Sequence, residues 1–177
     1  MPTLNIYLRN HVENSRLLHW SGDKRTQIAT QLTRLFTDVC GNTDYVPRVS
    51  WVELGGATCQ RTDLMCHFVT NETVGPIHGQ RLRPSAVGGN TFATARGVIS
   101  EVYVASRNVL PSGPELGNIA FHELMHNKLD ASSSHFDIHT SGGAGLARHS
   151  PMHAVLTDQN RRLMRGALDR PVLQFPA

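Results

Sequence analysis

Apolar and polar positions alternate from Leu4 to Arg9, the period of a strand with one buried face. Near Asp23 the period changes. Ile28, Leu32, Leu35, Phe36 and Val39 recur every three or four residues and predict an amphipathic helix, with Asp23 as its cap and Gly41 as its stop. Val46 to Leu54 and Leu64 to Thr70 are rich in β-branched and apolar residues and predict two further strands. From Gly75 to Gly97, glycine, proline and polar residues break every period, so a long loop is expected there. The next expected strand is Gly97 to Ala105.

Ser112-Gly113-Pro114-Glu115 has the form of a capping box. The Ser112 hydroxyl can accept from the backbone near Glu115 while Glu115 reaches back, and proline is tolerated in a first turn. A helix of about 15 residues is expected from there through His126. Ala131 to Gly145 opens with a run of three serines, continues through His135, Asp137, His139 and Gly142-Gly143, and predicts no regular element. A last helix is expected near Thr157-Asp158, with Leu163, Met164 and Leu168 on one side, before a proline-containing tail. The fold class expected is α+β: a mixed twisted sheet, a long N-terminal helix, a second helix through His126, and a small C-terminal lobe with the final helix.

A chain of 177 residues suits one domain, expected here as an upper lobe over 1–130 and a lower lobe over 131–177. With 40% hydrophobic and 18% charged residues, the composition is that of a folded protein rather than a disordered one. Arginine supplies 15 of the 17 basic side chains, but they are scattered, so the net charge of +3 forms no nucleic-acid-binding stripe. No run approaches the roughly 18 apolar residues of a membrane span. The start, Met1-Pro2-Thr3-Leu4-Asn5, lacks the pattern of a secretory signal. A soluble protein made in the cytoplasm is therefore expected, with any export by a non-classical route. Cys40, Cys59 and Cys66 are odd in number and lack metal-ligand spacing, so free buried thiols are expected, with a Cys59–Cys66 loop closure as the alternative.

The chemistry concentrates in His122-Glu123-Leu124-Met125-His126. A spacing of four puts both imidazoles on one helix face about one turn apart, where they can bind one tetrahedral Zn2+ at about 2.0–2.1 Å. Glu123 adjoins the first ligand, placed to take a proton from a water that the metal activates for attack on a carbonyl. The alternative is a structural pair among 10 histidines.

Two protein ligands do not complete a zinc site. His139, just before Thr140-Ser141-Gly142-Gly143, is the first candidate for the third. Asp130 is the next, but a straight helix would string His122, His126 and Asp130 over about 12 Å, so the helix would have to break near Lys128 or Leu129. His135 and Asp137 follow, and Asp137 could instead orient a ligand imidazole.

Downstream, Arg148-His149-Ser150-Pro151-Met152-His153 precedes Leu156-Thr157-Asp158 and the final helix. With the histidine motif and the order of strand, long helix, strands and zinc helix, this resembles the metzincin clan of zinc peptidases. The resemblance implies a zincin-like fold, zinc, peptide-bond hydrolysis, and Met152 as the residue of a Met-turn packed beneath the metal. It implies that the strand over Val98 to Ala105 lines the cleft and pairs with an extended substrate; the competing expectation is an edge strand protected by Ser100 and Glu101. Metzincins carry a glycine and a third ligand three and six residues past the second histidine, where this chain has Leu129 and Ser132. Many also carry a tyrosine two residues past the methionine, where this chain has Ala154. His153 or His149 would contact the oxyanion or the substrate.

The function expected is that of a zinc metalloendopeptidase with a protein or peptide substrate, exported as a toxin or effector with a delivery or immunity partner. Two alternatives stay open: a zinc hydrolase cutting peptidoglycan cross-links, and a non-enzymatic adaptor with a structural metal.

Overall fold

The computed structural model describes residues 1–12, 22–41, 43–52, 62–70, 89–94, 97–104, 111–129, 156 and 158–169. Among these, eight elements follow in order: β1 (Thr3–Asn10), α1 (Gly22–Cys40), β2 (Val46–Val52), β3 (Leu64–Val69), β4 (Gly89–Thr94), β5 (Gly97–Tyr103), α2 (Gly113–His126) and α3 (Asp158–Arg165). The fold is α+β, and its long helix is the second element, after a strand.

The strands form one sheet in the order β2-β1-β3-β5-β4. The first four run parallel, and β4 returns antiparallel along β5. Pairing register sorts the side chains onto two faces. Leu4, Ile6 and Leu8 share one face with Val49, Leu64, Cys66, Phe68, Ser100 and Val102. On that face lie α1 and α2, packed against each other with the Phe36 and Phe121 rings 4.8 Å apart. Every residue of β3 is buried, as a central strand covered on both faces requires.

The α1 stripe forms as the sequence predicts: Ile28, Leu32, Leu35, Phe36 and Val39 are fully buried. Gly41 ends the helix at φ +49°, donating its N–H to Thr37 O at 2.9 Å. Ser112 caps α2 through both halves of the box, Glu115 N to Ser112 Oγ and Ser112 N to Glu115 Oε2. At the other end of the chain, α3 adds Met164 to the same core, and Ala167 and Leu168 follow it there. Arg161 bonds Asp38, Arg165 bonds Val39 O, and the buried Lys128 ammonium donates to Leu168 O at 2.7 Å. The end of α2 and the final helix are thereby tied together.

Two expectations are corrected. The stretch read as loop up to Gly97 contains strand β4 (Gly89–Thr94), which opens on Gly89-Asn90, residues of weak strand preference that are held by pairing with β5. The strand over Val98 to Ala105 is not at the edge: β5 lies between β3 and β4, and its Ser100 and Glu101 are buried. Among the described strands, β4 and β2 are the edges. No helix among the described residues is long and apolar enough to cross a membrane.

Candidate active site

The last turn of α2 presents His122 and His126 on one face while turning Glu123 towards the sheet. Both imidazoles are half-buried, their centroids 4.6 Å apart and their planes 82° to each other. Their Nε2 atoms face at 2.9 Å. Two ligands at tetrahedral zinc stand about 3.3 Å apart, so a few tenths of an ångström of opening would suit the pair to the ion. The donor chemistry and the facing nitrogens therefore fit zinc as two of its ligands. Among the described residues no group of three or more His, Cys, Asp or Glu could hold a metal. The expected third ligands His139, Asp130, His135 and Asp137, the Met-turn residue Met152, and His149, His153 and Cys59 lie outside the described residues.

Glu123 is only 6% exposed, its carboxylate held in a pocket against the sheet. That pocket is built by β4 and β5. A Cβ at Gly89 would come within 2.8 Å of Glu123 Cγ and 2.7 Å of Glu101 O, so only glycine leaves room for the glutamate stem. Two residues along β4, Thr91 Oγ1 lies 2.7 Å from Glu123 Oε2 and 2.9 Å from Glu123 O. Ser100 Oγ on β5 donates to Glu123 O at 2.9 Å and lies 3.0 Å from Thr91 Oγ1. Asn127, the C-cap of α2, donates from Nδ2 to Ser100 Oγ. Burial pushes the Glu123 carboxyl up to about 7, against the opposing pull of the Thr91 hydrogen bond. A cation on the neighbouring imidazoles would pull it down again.

Cys66 lies beneath this pocket on β3, fully buried and opposite Ser100 in register. Burial, with the Glu123 and Glu101 carboxylates, pushes its thiol well up, so it is a protonated core residue and not a nucleophile. Cys40 and Cys66 are both free and buried, as the sequence predicts.

The other face of the sheet carries a second polar group absent from the sequence reading. Register aligns Arg9, His67 and Glu101 on neighbouring strands, all buried. His11 Nε2 meets His67 Nδ1 at 3.0 Å, with the rings stacked 5.2 Å apart. Burial lowers the His11 pKa, as does the charge of Arg9, and burial raises Glu101 to about 7. The sequence signal was a histidine inside the apolar run Leu64-Met65-Cys66-His67-Phe68-Val69.

No protein-family model and no curated protein sequence matches the chain.

Proposed function

We propose that the chain is a zinc-dependent peptidase whose α2 helix carries two zinc ligands and the general base. The observation that carries this is the pairing of facing Nε2 atoms of His122 and His126 with the buried Glu123 carboxylate held between the helix and β4. His122 and His126 would hold the zinc, with His139 as the favoured third ligand and Met152 beneath the site. The order of strand, long helix, further strands and histidine-bearing helix supports a metzincin-like arrangement.

Zinc, when bound, supplies the Lewis acidity that makes a water nucleophilic near neutral pH and polarises the scissile carbonyl. Glu123 accepts the proton of the attacking water at its carboxylate and delivers it to the departing amine nitrogen. The peptide C–N bond breaks to a carboxylate and an amine. Burial suits the glutamate to this, because a carboxyl kept from bulk water holds a proton more readily than an exposed one.

Metal content and hydrolysis of broad peptide libraries, measured together for the wild type and Glu123→Gln, test the proposal. The wild type is expected to carry one zinc and to cleave peptides; the variant is expected to keep zinc and fold while losing cleavage by 10²-fold or more, on the order of a lost general base. A zinc-loaded wild type without hydrolysis would leave a structural metal, and release of cell-wall fragments without protein cleavage would redirect the substrate to peptidoglycan.

A further inference from the structure

We propose that β4 is a cradle that positions the Glu123 carboxylate, with Thr91 as the positioning residue and Gly89 as the opening that admits the side chain. The inference rests on the peptidase reading of the site. It starts from a count of protons. Thr91 Oγ1 has three acceptors within reach, Glu123 Oε2 at 2.7 Å, Glu123 O at 2.9 Å and Ser100 Oγ at 3.0 Å, but a hydroxyl has one proton to give.

The neighbours decide where it goes. Asn127 Nδ2 donates to Ser100 Oγ, and Ser100 gives its own proton to Glu123 O at 2.9 Å. The backbone carbonyl thus has a donor already. The Thr91 proton goes to Oε2, where a charged acceptor makes the stronger bond. One carboxylate oxygen is fixed by the sheet, and the other is left for proton transfer.

Position is set as firmly as direction. A Cβ at residue 89 would meet Glu123 Cγ at 2.8 Å and Ile119 Cγ2 at 2.9 Å, so the glycine site defines the channel through which the glutamate stem passes. Thr91, two residues on, faces the same side of the sheet. Both residues therefore act through Glu123, and neither is placed to touch the reacting atoms.

The test compares zinc-loaded wild type, Thr91→Val, which keeps the shape and removes the donor, and Thr91→Ser, which restores the donor. The expected result is a kcat about 10- to 100-fold lower in Thr91→Val with KM within about twofold, and recovery in Thr91→Ser to within about threefold of wild type. A second readout needs no turnover: the Glu123 carboxyl carbon, followed by NMR in metal-free protein labelled at glutamate, is expected to shift in Thr91→Val and stay near its wild-type position in Thr91→Ser. Equal kcat in Thr91→Val and an active wild type would overturn the positioning role alone. So would an unmoved carbon resonance, or a Thr91→Ser protein as impaired as Thr91→Val. An inactive zinc-loaded wild type would overturn the peptidase reading, and with it any catalytic meaning of the contact.

Discussion

Replacing His126 by alanine separates the metal from the fold, because the imidazole is half-buried at the end of α2 and lies outside the apolar core. Its loss should shift the stability of the metal-free protein by no more than about 1 kcal/mol, the range of partly exposed sites. Its effect on zinc should be far larger. His126 supplies one of two Nε2 atoms facing at 2.9 Å, and its removal destroys that pre-formed pair and takes away one of the proposed ligands. Free zinc at 100 times the Kd stabilises the native state by about 2.7 kcal/mol, or about 5–11 °C in Tm at 2–4 °C per kcal/mol for a chain of this size. Thermal unfolding with and without zinc, at a concentration fixed from the wild-type titration, should show that rise in wild type and about 1 °C or less in His126→Ala. The same zinc-dependent rise in both proteins would refute the reasoning, because the metal would then sit elsewhere.

Phe121→Ala removes a fully buried ring tilted against Phe36 at the junction of α1 and α2, and should cost about 3–5 kcal/mol in urea unfolding, whereas a loss under 1 kcal/mol would deny that junction its place in the core. Glu101 predicts a pH dependence of known sign. Its folded pKa of about 7 lies above the unfolded value of 4.5, so the native state holds the proton more tightly and loses stability relative to the unfolded chain as pH rises from 4.5 to 7. Glu101→Gln should therefore gain on wild type over that window in urea titrations, and a stability difference, variant minus wild type, that falls with rising pH would contradict the burial argument. Lys128 runs the other way. Burial lowers it to about 8 from 10.5, so its contribution is least favourable below pH 8 and recovers towards 10.5; Lys128→Met should gain on wild type as pH is lowered through that window.

The parts of the fold written in adjacent residues were legible. The α1 stripe, the Ser112 to Glu115 box and the His122, Glu123 and His126 spacing each depend on contacts within a few positions, where periodicity and capping act. What failed depends on distance along the chain. Gly89-Asn90, at the end of a glycine- and proline-rich stretch, has the composition of a loop, and the ladder to β5 makes it part of a strand. Once β4 takes the edge, β5 moves inside and Ser100 and Glu101 cease to be solvent-facing guards.

The surroundings of Glu123 were hidden for the same reason. Thr91 lies 32 positions from the glutamate and Ser100 lies 23, and no local rule joins a threonine in a glycine-rich stretch to a helix so far downstream. His11 and His67 are 56 apart and meet only because β1 and β3 are neighbours. One trace of the cradle was present in the sequence: Gly88-Gly89 precedes the threonine, and an exposed loop does not explain a glycine that a methyl group would drive into a helix.

The most direct test of the site is a crystal structure of the protein grown with zinc. The account predicts one ion within about 2.0–2.1 Å of the Nε2 atoms of both His122 and His126, with Glu123 outside the coordination sphere and still bonded to Thr91. Zinc bound at another group of residues, or ligated by the Glu123 carboxylate itself, would contradict it.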